Sequence, residues 1–516
     1  MASIQSFLST EGGFIALRVI LLAAVALTAI RYFAKKERLP DVEFLRASNK
    51  PGRAGGSEDI QAFLSDSLGT IMKGYNEYSK LGKHFLLRTP RQVYFIAAPN
   101  FLEEIRKMPD SKLSQPAAAN IIFQVKHNFH PDLEADNYHF NVVRGKMTQG
   151  INQYLPDLVA ETVHAFDFEV GSDASQWREL RTWSLVSKLV TRMANKMLVG
   201  APLCRNEEYL QMSCDITPAV FDTAVKIRNY PDFVKSIMMY FMKTKEQQLK
   251  IARKHLLPVI EGRLALLDNP VSREKGNKPV DTWKRNPEIL MQRLLHLNVN
   301  AIHAPAYTVT ECMVDLCKNP EIHEELRAEI EQVLGKNRDA SCWTKENLDR
   351  LVKLDSFIRE SSRLTPISAV KMERLAVQDV RLSDGTLIPR GTSVAVIAHG
   401  RHLDEDIIPN ARTFDAFRYA RLRTGDEMAD AEYAFAQATS ENMLFGLGRH
   451  ACPGRQFATA LCKVFLICVL VRYDVKFLEG RPLPQGRWTQ KFRNPDTTTT
   501  MGWQRTRSTR FDGIFD

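Results

Sequence analysis

The sequence predicts a mainly α-helical protein with small β-sheets, preceded by one N-terminal transmembrane helix. Three observations carry this. Apolar residues recur at three- and four-residue spacing over Leu158–Phe166, Leu180–Leu198, Tyr230–Leu267, Glu288–Lys318 and Pro320–Leu334, the period of helices with a buried face. Strand-like pieces are short, Val93–Ala97, Val380–Leu382 and Val394–Ile397, and are bounded by Gly, Pro or Asp turn signals. One apolar run, Phe14–Ile30, interrupted by Arg18, approaches the roughly 20 residues that cross a bilayer.

The run is followed by Arg31, Lys35, Lys36 and Arg38, while the first eleven residues contain no Lys or Arg. The positive-inside rule then places the amino terminus in the lumen and the chain after Leu39-Pro40 in the cytosol. A cleavable signal peptide would carry a charged n-region, which is missing. Residues 1–40 therefore read as an uncleaved anchor and hinge. Residues 41–516 read as one catalytic domain, because no repeat, low-complexity tract or second apolar span divides them. Within it, Pro51–Gly56 reads as a surface loop, Asn269–Thr282 as a polar connection, and Asp384-Gly385 as the turn of a small hairpin.

Hydrophobic residues at 44% and charged residues at 25% exclude wholesale disorder and a polytopic membrane protein. The net charge of +10 suits an acidic partner. No module interleaving Arg or Lys with aromatics accompanies it, so nucleic acid is not that partner. The eight cysteines include no C-x-x-C pair, which argues against a zinc or disulfide framework and for a reducing compartment.

The most informative stretch is Phe445-Gly446-Leu447-Gly448-Arg449-His450-Ala451-Cys452-Pro453-Gly454, which leads into the apolar run Leu461–Val471. Glycines at 446, 448 and 454 allow positive φ and close approach of a flat ligand. Cys452 stands at the end of a loop just ahead of a helix, where amide groups can donate to its sulfur and lower its pKa. Such a sulfur suits an axial haem ligand.

These residues resemble the cysteine-ligand loop of the cytochrome P450 haem-thiolate monooxygenases, F-x-x-G-x-R/H-x-C-x-G, with Phe445, Gly448, His450, Cys452 and Gly454 matching. The resemblance implies the cytochrome P450 fold and haem b, with iron bound by Cys452 and with Phe445, Gly446 and Gly454 beside it. Glu360 and Arg363, one helical turn apart, together with Arg418 of Phe414-Asp415-Ala416-Phe417-Arg418, resemble the family's buried Glu-Arg-Arg cluster, a structural element. For the haem propionates the resemblance implies Arg374, His450 and Arg144. The last lies in Phe140-Asn141-Val142-Val143-Arg144, where Phe140 replaces the family's Trp.

The central helix carries Ala301-Ile302-His303-Ala304-Pro305-Ala306-Tyr307-Thr308. It is similar to a fungal branch that includes kaurene-oxidase-like and indole-diterpene enzymes and that reads A-I-H-T-T-S, but Ala304 and Pro305 replace both threonines. In the family that Thr hydroxyl relays protons during dioxygen activation. Ala304 cannot, and Pro305 removes a backbone N–H, freeing the carbonyl one turn earlier. His303, Ala304 and Thr308 are the candidate distal residues. Three explanations follow: the substrate's own hydroxyl completes the relay, His303 with a water does so, or the enzyme does not oxygenate in the ordinary way.

The resemblance extends in motif order from residue 138 to 458 and implies a microsomal enzyme of the endoplasmic reticulum membrane, with the catalytic domain cytosolic. NADPH would supply electrons through a diflavin reductase docking on Arg449, Arg455 and Lys463. The substrate would be an apolar small molecule, terpenoid or indole-terpenoid, of fungal secondary metabolism, recognised by Ser111–Asp132, Pro218–Val234, Asn298–Thr308, Pro366–Val370 and Thr497–Trp503. The expected reaction is monooxygenation. The alternatives are desaturation, dehydration or rearrangement on the same fold, and a non-catalytic haem-binding partner protein.

Overall fold

The computed structural model describes residues 38–48, 50, 52–268, 285–335, 342–507, 510–511 and 513–515. Its principal helices are α1 (Gly52–Ser65), α2 (Gln115–Phe123), α3 (Ile151–Glu169), α4 (Thr182–Leu198), α5 (Glu207–Ile227), α6 (Asp232–Phe241), α7 (Lys243–Asp268), α8 (Pro287–Lys318), α9 (His323–Leu334), α10 (Val352–Leu364) and α11 (Arg455–Arg472). The strands are β1 (Phe85–Arg88), β2 (Val93–Ile96), β3 (Leu113–Ser114), β4 (Arg178–Arg181), β5 (Val370–Ala376), β6 (Val380–Arg381), β7 (Leu387–Ile388), β8 (Ser393–Ile397), β9 (Tyr473–Phe477), β10 (Arg487–Thr489), β11 (Phe492–Asn494) and β12 (Thr500–Arg505). The protein is thus mainly helical with small sheets. The expected anchor, Phe14–Ile30, and the connection Asn269–Thr282 lie outside the described residues.

Helix α8 is the axis of the molecule. Asn286 caps it, its side chain accepting from the amides of Glu288 (2.9 Å) and Ile289 (3.4 Å), and Pro287 occupies the first turn, where its missing N–H costs nothing. The largest apolar cluster joins α8 to α3, α4, α9, α10 and α11. Helix α11 is buried from Thr459 through Val471, and apart from Thr459 and Lys463 those residues are apolar.

The five-stranded sheet runs β1-β2-β8-β5-β3, with β2 and β8 parallel and the other pairs antiparallel. Register between β5 and β8 shifts between Lys371 and Arg374, and Met372 takes φ +56° there. Residues three apart on a regular strand face opposite sides; this bulge brings Lys371 and Arg374 to the same cavity. Strands β6 and β7 form the hairpin expected around Asp384-Gly385, pairing Val380 with Ile388.

Three expectations need correction. Pro51–Gly56 is not a loop, since helix α1 begins at Gly52. Gly55 serves close packing, since a Cβ there would lie 1.9 Å from the Lys50 carbonyl oxygen. Tyr230–Leu267 is two helices, because Met242 (φ −86°, ψ 86°) leaves the helical region. Phe233, Ile237, Tyr240 and Phe241 of α6 are exposed, whereas Leu249, Ala252 and Leu256 of α7 are buried. Thr497–Trp503 is no recognition loop, because Thr500–Arg505 is the middle strand of the β4-β12-β9 sheet, with Trp503 buried against Phe166 and Tyr473.

Candidate functional site

Between α8, α2, β5 and the loop preceding α11 lies a cavity of about 730 Å³. Cys452 lines its floor. The Cys452 amide donates to the Phe445 carbonyl (2.8 Å), and the Gly446 amide to the Met443 carbonyl (3.0 Å), so the loop folds back beneath the sulfur. Gly446 and Gly448 take φ +76° and +69°. A Cβ on Gly448 would also lie 2.5 Å from Arg106 Cγ, so only glycine fits there. Gly454, also expected at positive φ, instead has φ −92° and caps α11 in an ordinary conformation.

Burial pushes the Cys452 thiol up, contrary to the expectation of a lowered pKa, because desolvation outweighs the opposing pull of the Gly454 amide and of Lys371, Arg455 and Arg144. Cys462 lines the same cavity, but burial alone acts on it and its thiol is pushed up to about 12. Cys452 is therefore the sulfur with donors and cations arranged to hold a thiolate. Phe445, beside it, lines the cavity and packs edge-on against Phe435 at 5.0 Å.

Above Cys452 the cavity wall is cationic. Arg374 is buried, with its guanidinium on the Glu373 carbonyl (2.8 Å) and 4.0 Å from the Met372 sulfur, and among the described residues it makes no ion pair with a carboxylate. Burial lowers its pKa to about 10. A buried guanidinium so placed calls for an anion. Arg144, in a π-helical turn over Val143–Met147, lines the same wall and donates to the Arg449 carbonyl at 3.2 Å. His450 Nε2 lies 2.9 Å from Asp110 and 3.1 Å from Arg449 Nε, so only its Nδ1 remains to face a ligand. A thiol floor, glycine-flanked loop and cationic wall fit haem, with its sulfur-ligated metal and two propionates.

Behind the loop, Arg363 grips Glu360 through Nε (2.8 Å) and Nη2 (2.7 Å), and Arg418 Nε reaches the same carboxylate at 3.2 Å. Arg418 also donates to the carbonyls of Pro409, Asn410 and Thr413, tying that loop to α10.

On the opposite wall, Ala301, Ala304, Pro305 and Thr308 line the cavity. Helix α8 continues through Pro305, and the Ala301 carbonyl loses the amide partner that residue 305 would supply. His303 is not among the lining residues: it packs edge-on against Trp183 of α4 at 5.2 Å. It was expected on the distal face, but α8 turns it roughly 100° from Ala304. Lys463, expected on a docking surface, is buried and pairs with Asp355 at 2.7 Å. Asp355 also accepts from Arg423 (2.9 Å) and the Phe435 amide (2.8 Å), and a Lys amid apolar neighbours reads as surface charge until that buried carboxylate is located.

Of the expected recognition segments, Ser111–Asp132, Asn298–Thr308 and Pro366–Val370 contribute several lining residues, and Pro218–Val234 contributes Phe221. The sequence reading missed Phe492 on β11, which enters the cavity because Arg493 bonds Tyr307 (2.8 Å) and Glu311 (2.6 Å) of α8. It also missed Lys371 and His296, which line the cavity. The i,i+3 pair Arg293 and His296 was the available signal for the second.

The family described as Cytochrome P450 matches residues 137–500. The chain is similar to cytochrome P450 monooxygenase 151 of Postia placenta, 31% identical over 438 residues covering 83% of this chain and 86% of that protein. It is similar to monooxygenase AN1598 of Emericella nidulans, 29% identical over 83% of that protein and 85% of this chain. It is also similar to monooxygenase paxP of Penicillium paxilli, 31% identical over 81% of that protein and 80% of this chain.

Proposed function

The chain belongs to the cytochrome P450 family, and from that premise we propose that it is a haem-thiolate monooxygenase inserting one oxygen atom into an apolar small molecule. The observation that carries the reading is Cys452, held by the Phe445 carbonyl at the floor of a cavity walled by Arg374, Arg144 and His450. Bound haem would supply the electron transfer and dioxygen activation, with NADPH and a proton consumed and water released as the second product. The protein's part is to hold the sulfur in a dry loop, balance the propionates, and seat the substrate against Ala301, Ala304, Pro305 and Thr308. Thr308, one turn beyond Ala304, carries a hydroxyl on that helix face, and the Ala301 carbonyl offers an acceptor for a water.

The electron donor in this reading is a diflavin reductase whose acidic face meets exposed Arg449 and half-buried Arg455 beside the cysteine loop. The same reading makes residues 1–40 a single-pass anchor in the endoplasmic reticulum membrane, with the catalytic domain cytosolic. Among the described residues no helix is long and apolar enough to cross a membrane. Helix α6 supports contact with a membrane surface, since Phe233, Ile237, Tyr240 and Phe241 are all exposed on it. The sequence Ala301-Ile302-His303 supports a terpenoid or indole-terpenoid substrate in fungal secondary metabolism.

One observation favours a second reading. Ala304-Pro305 removes the usual hydroxyl pair, which suits desaturation, dehydration or rearrangement. An assay of the protein with reductase and NADPH distinguishes the two. A product heavier by one oxygen supports insertion; loss of two hydrogens or of water, or an unchanged mass, supports the alternative. Extracts from a strain lacking the protein identify the substrate as the intermediate that accumulates.

A further inference from the structure

Two turns before Ala304 on α8, two histidines and an arginine form a chain, ending at the cavity-lining His296, that the family reading does not use. Arg293 Nη1 lies 3.1 Å from His139 Nδ1, and His139 Nε2 lies 3.1 Å from His296 Nδ1. A guanidinium can only donate. His139 Nδ1 must therefore accept, which puts the His139 proton on Nε2. That N–H donates to His296 Nδ1, which leaves the His296 proton on Nε2. The tautomer of each ring follows from one obligate donor at the end of the chain.

The setting keeps both rings neutral. Burial lowers His139 to about 3, with His296 and Arg293 adding to the effect, and burial with Arg293 lowers His296 to about 4. Arg293 is buried over the Tyr138 ring at 4.1 Å, and among the described residues its Nε and Nη2 have no hydrogen-bond partner. Its position is held by the Asp136 carbonyl, to which Nη1 donates at 2.5 Å. His296 lines the cavity within a ring of Phe123 (6.4 Å), Phe129 (4.7 Å) and Phe140 (5.3 Å). Asn300, one turn on, also lines the cavity, but its amide N–H donates to the His296 carbonyl at 2.7 Å, so His296 offers a fixed N–H donor beside an aromatic rim, which suits recognition of an acceptor oxygen.

We propose that His296 is a specificity-determining residue that donates from Nε2 to a carbonyl, ether or hydroxyl oxygen of an otherwise apolar substrate. This deepens the monooxygenase reading and rests on it. His296 and Ala304 are two turns apart on α8, so the oxygen sits on the order of 12 Å from the carbon that reacts. The substrate class is a rigid, mostly hydrocarbon skeleton already oxygenated at one end, and the reaction supplying it is itself an oxidation, or a cyclisation that leaves an oxygen.

The test uses matched probes: 5α-androstan-17-one against 5α-androstane, and 2-decalone against decalin. Each is titrated calorimetrically into the full-length haem-loaded protein. One neutral hydrogen bond gives the ketone roughly three- to tenfold tighter binding in at least one pair. His296→Phe erases that preference while hydrocarbon binding stays, His296→Gln restores part of it through its amide N–H, and Arg293→Met weakens it by releasing the tautomer. The proposal is overturned if no ketone outbinds its hydrocarbon in the unaltered protein, or if the preference survives in His296→Phe. The absorption spectrum of the reduced carbon monoxide complex is recorded on the same samples. A thiolate-type band with no ketone preference overturns the role of His296 alone, whereas absence of that band overturns the haem-thiolate reading.

Discussion

Glu360 and Arg363 lie buried one helical turn apart on α10, joined by two parallel hydrogen bonds of 2.7 and 2.8 Å. Arg363 Nη1 also donates to the carbonyls of His402 and Ala411, both at 2.5 Å, so the pair fastens α10 to the segment leading toward the cysteine loop. Glu360→Gln leaves two guanidinium groups facing a neutral amide in a desolvated pocket. The expected cost is on the order of 3–5 kcal/mol, read as a lowered urea midpoint together with reduced haem content in the purified protein.

Gly448→Ala has a different mechanism. The new methyl would meet Arg106 Cγ at 2.5 Å in a backbone held at φ +69°. The left-handed conformation alone costs about 1–2 kcal/mol. Haem content should fall while the unfolding midpoint of the helical core changes less than in Glu360→Gln, because the strain is confined to the loop. Far-ultraviolet circular dichroism and haem absorbance, followed in one melt, report the two separately.

Asp315 gives a pH signature. Its carboxyl accepts from Ser361 Oγ at 2.7 Å, yet burial raises its pKa from 3.8 to about 6. Between those values the folded protein keeps a proton that the unfolded chain has released, so stability falls as pH rises through the window and levels above it. The loss amounts to roughly 3 kcal/mol. Asp315→Asn abolishes this contribution. Urea unfolding of both proteins between about pH 4 and pH 7 should show the variant gaining on the unaltered protein by about that amount at the higher pH.

The α8 surface facing the cavity decides between the two readings of the chemistry. If Ala304-Pro305 is a plain loss of the hydroxyl relay, Ala304→Thr with Pro305→Thr should raise product per NADPH several-fold and lower hydrogen peroxide, with the same product. If the pocket is shaped around the substrate, with the substrate completing the proton path, the double change should lower product and raise peroxide. Thr308→Val separates the contribution of the remaining hydroxyl: if Thr308 carries the relay, peroxide rises and product falls in that single variant.

The cysteine loop and the Glu-Arg-Arg set were legible because their function is tied to local spacing. Glu360 and Arg363 share a helix face, and the pattern Phe445 to Gly454 is a single turn and loop. The central helix was legible for the same reason, since one continuous apolar period spans it. Other features depend on contacts between distant segments. Lys463 was read as surface charge because its partner, Asp355, is 108 positions away. His303 was placed on the distal face because a motif gives order along a helix but not which side meets α4. Phe492 is brought to the cavity by contacts between distant segments, among them Arg493 with Glu311 across 182 positions and a backbone bridge to Ser368. The bulge at Met372, which turns both Lys371 and Arg374 inward, leaves no mark in the alternation of β5.

Cys452 is the residue that would hold haem iron through its sulfur, and the absorption spectrum of the reduced carbon monoxide complex reports whether a thiolate does so. The unaltered protein and Cys462→Ala should both show the thiolate-type band, and Cys452→Ala should lack it even where some haem is retained. A thiolate-type band that persists in Cys452→Ala would contradict the account.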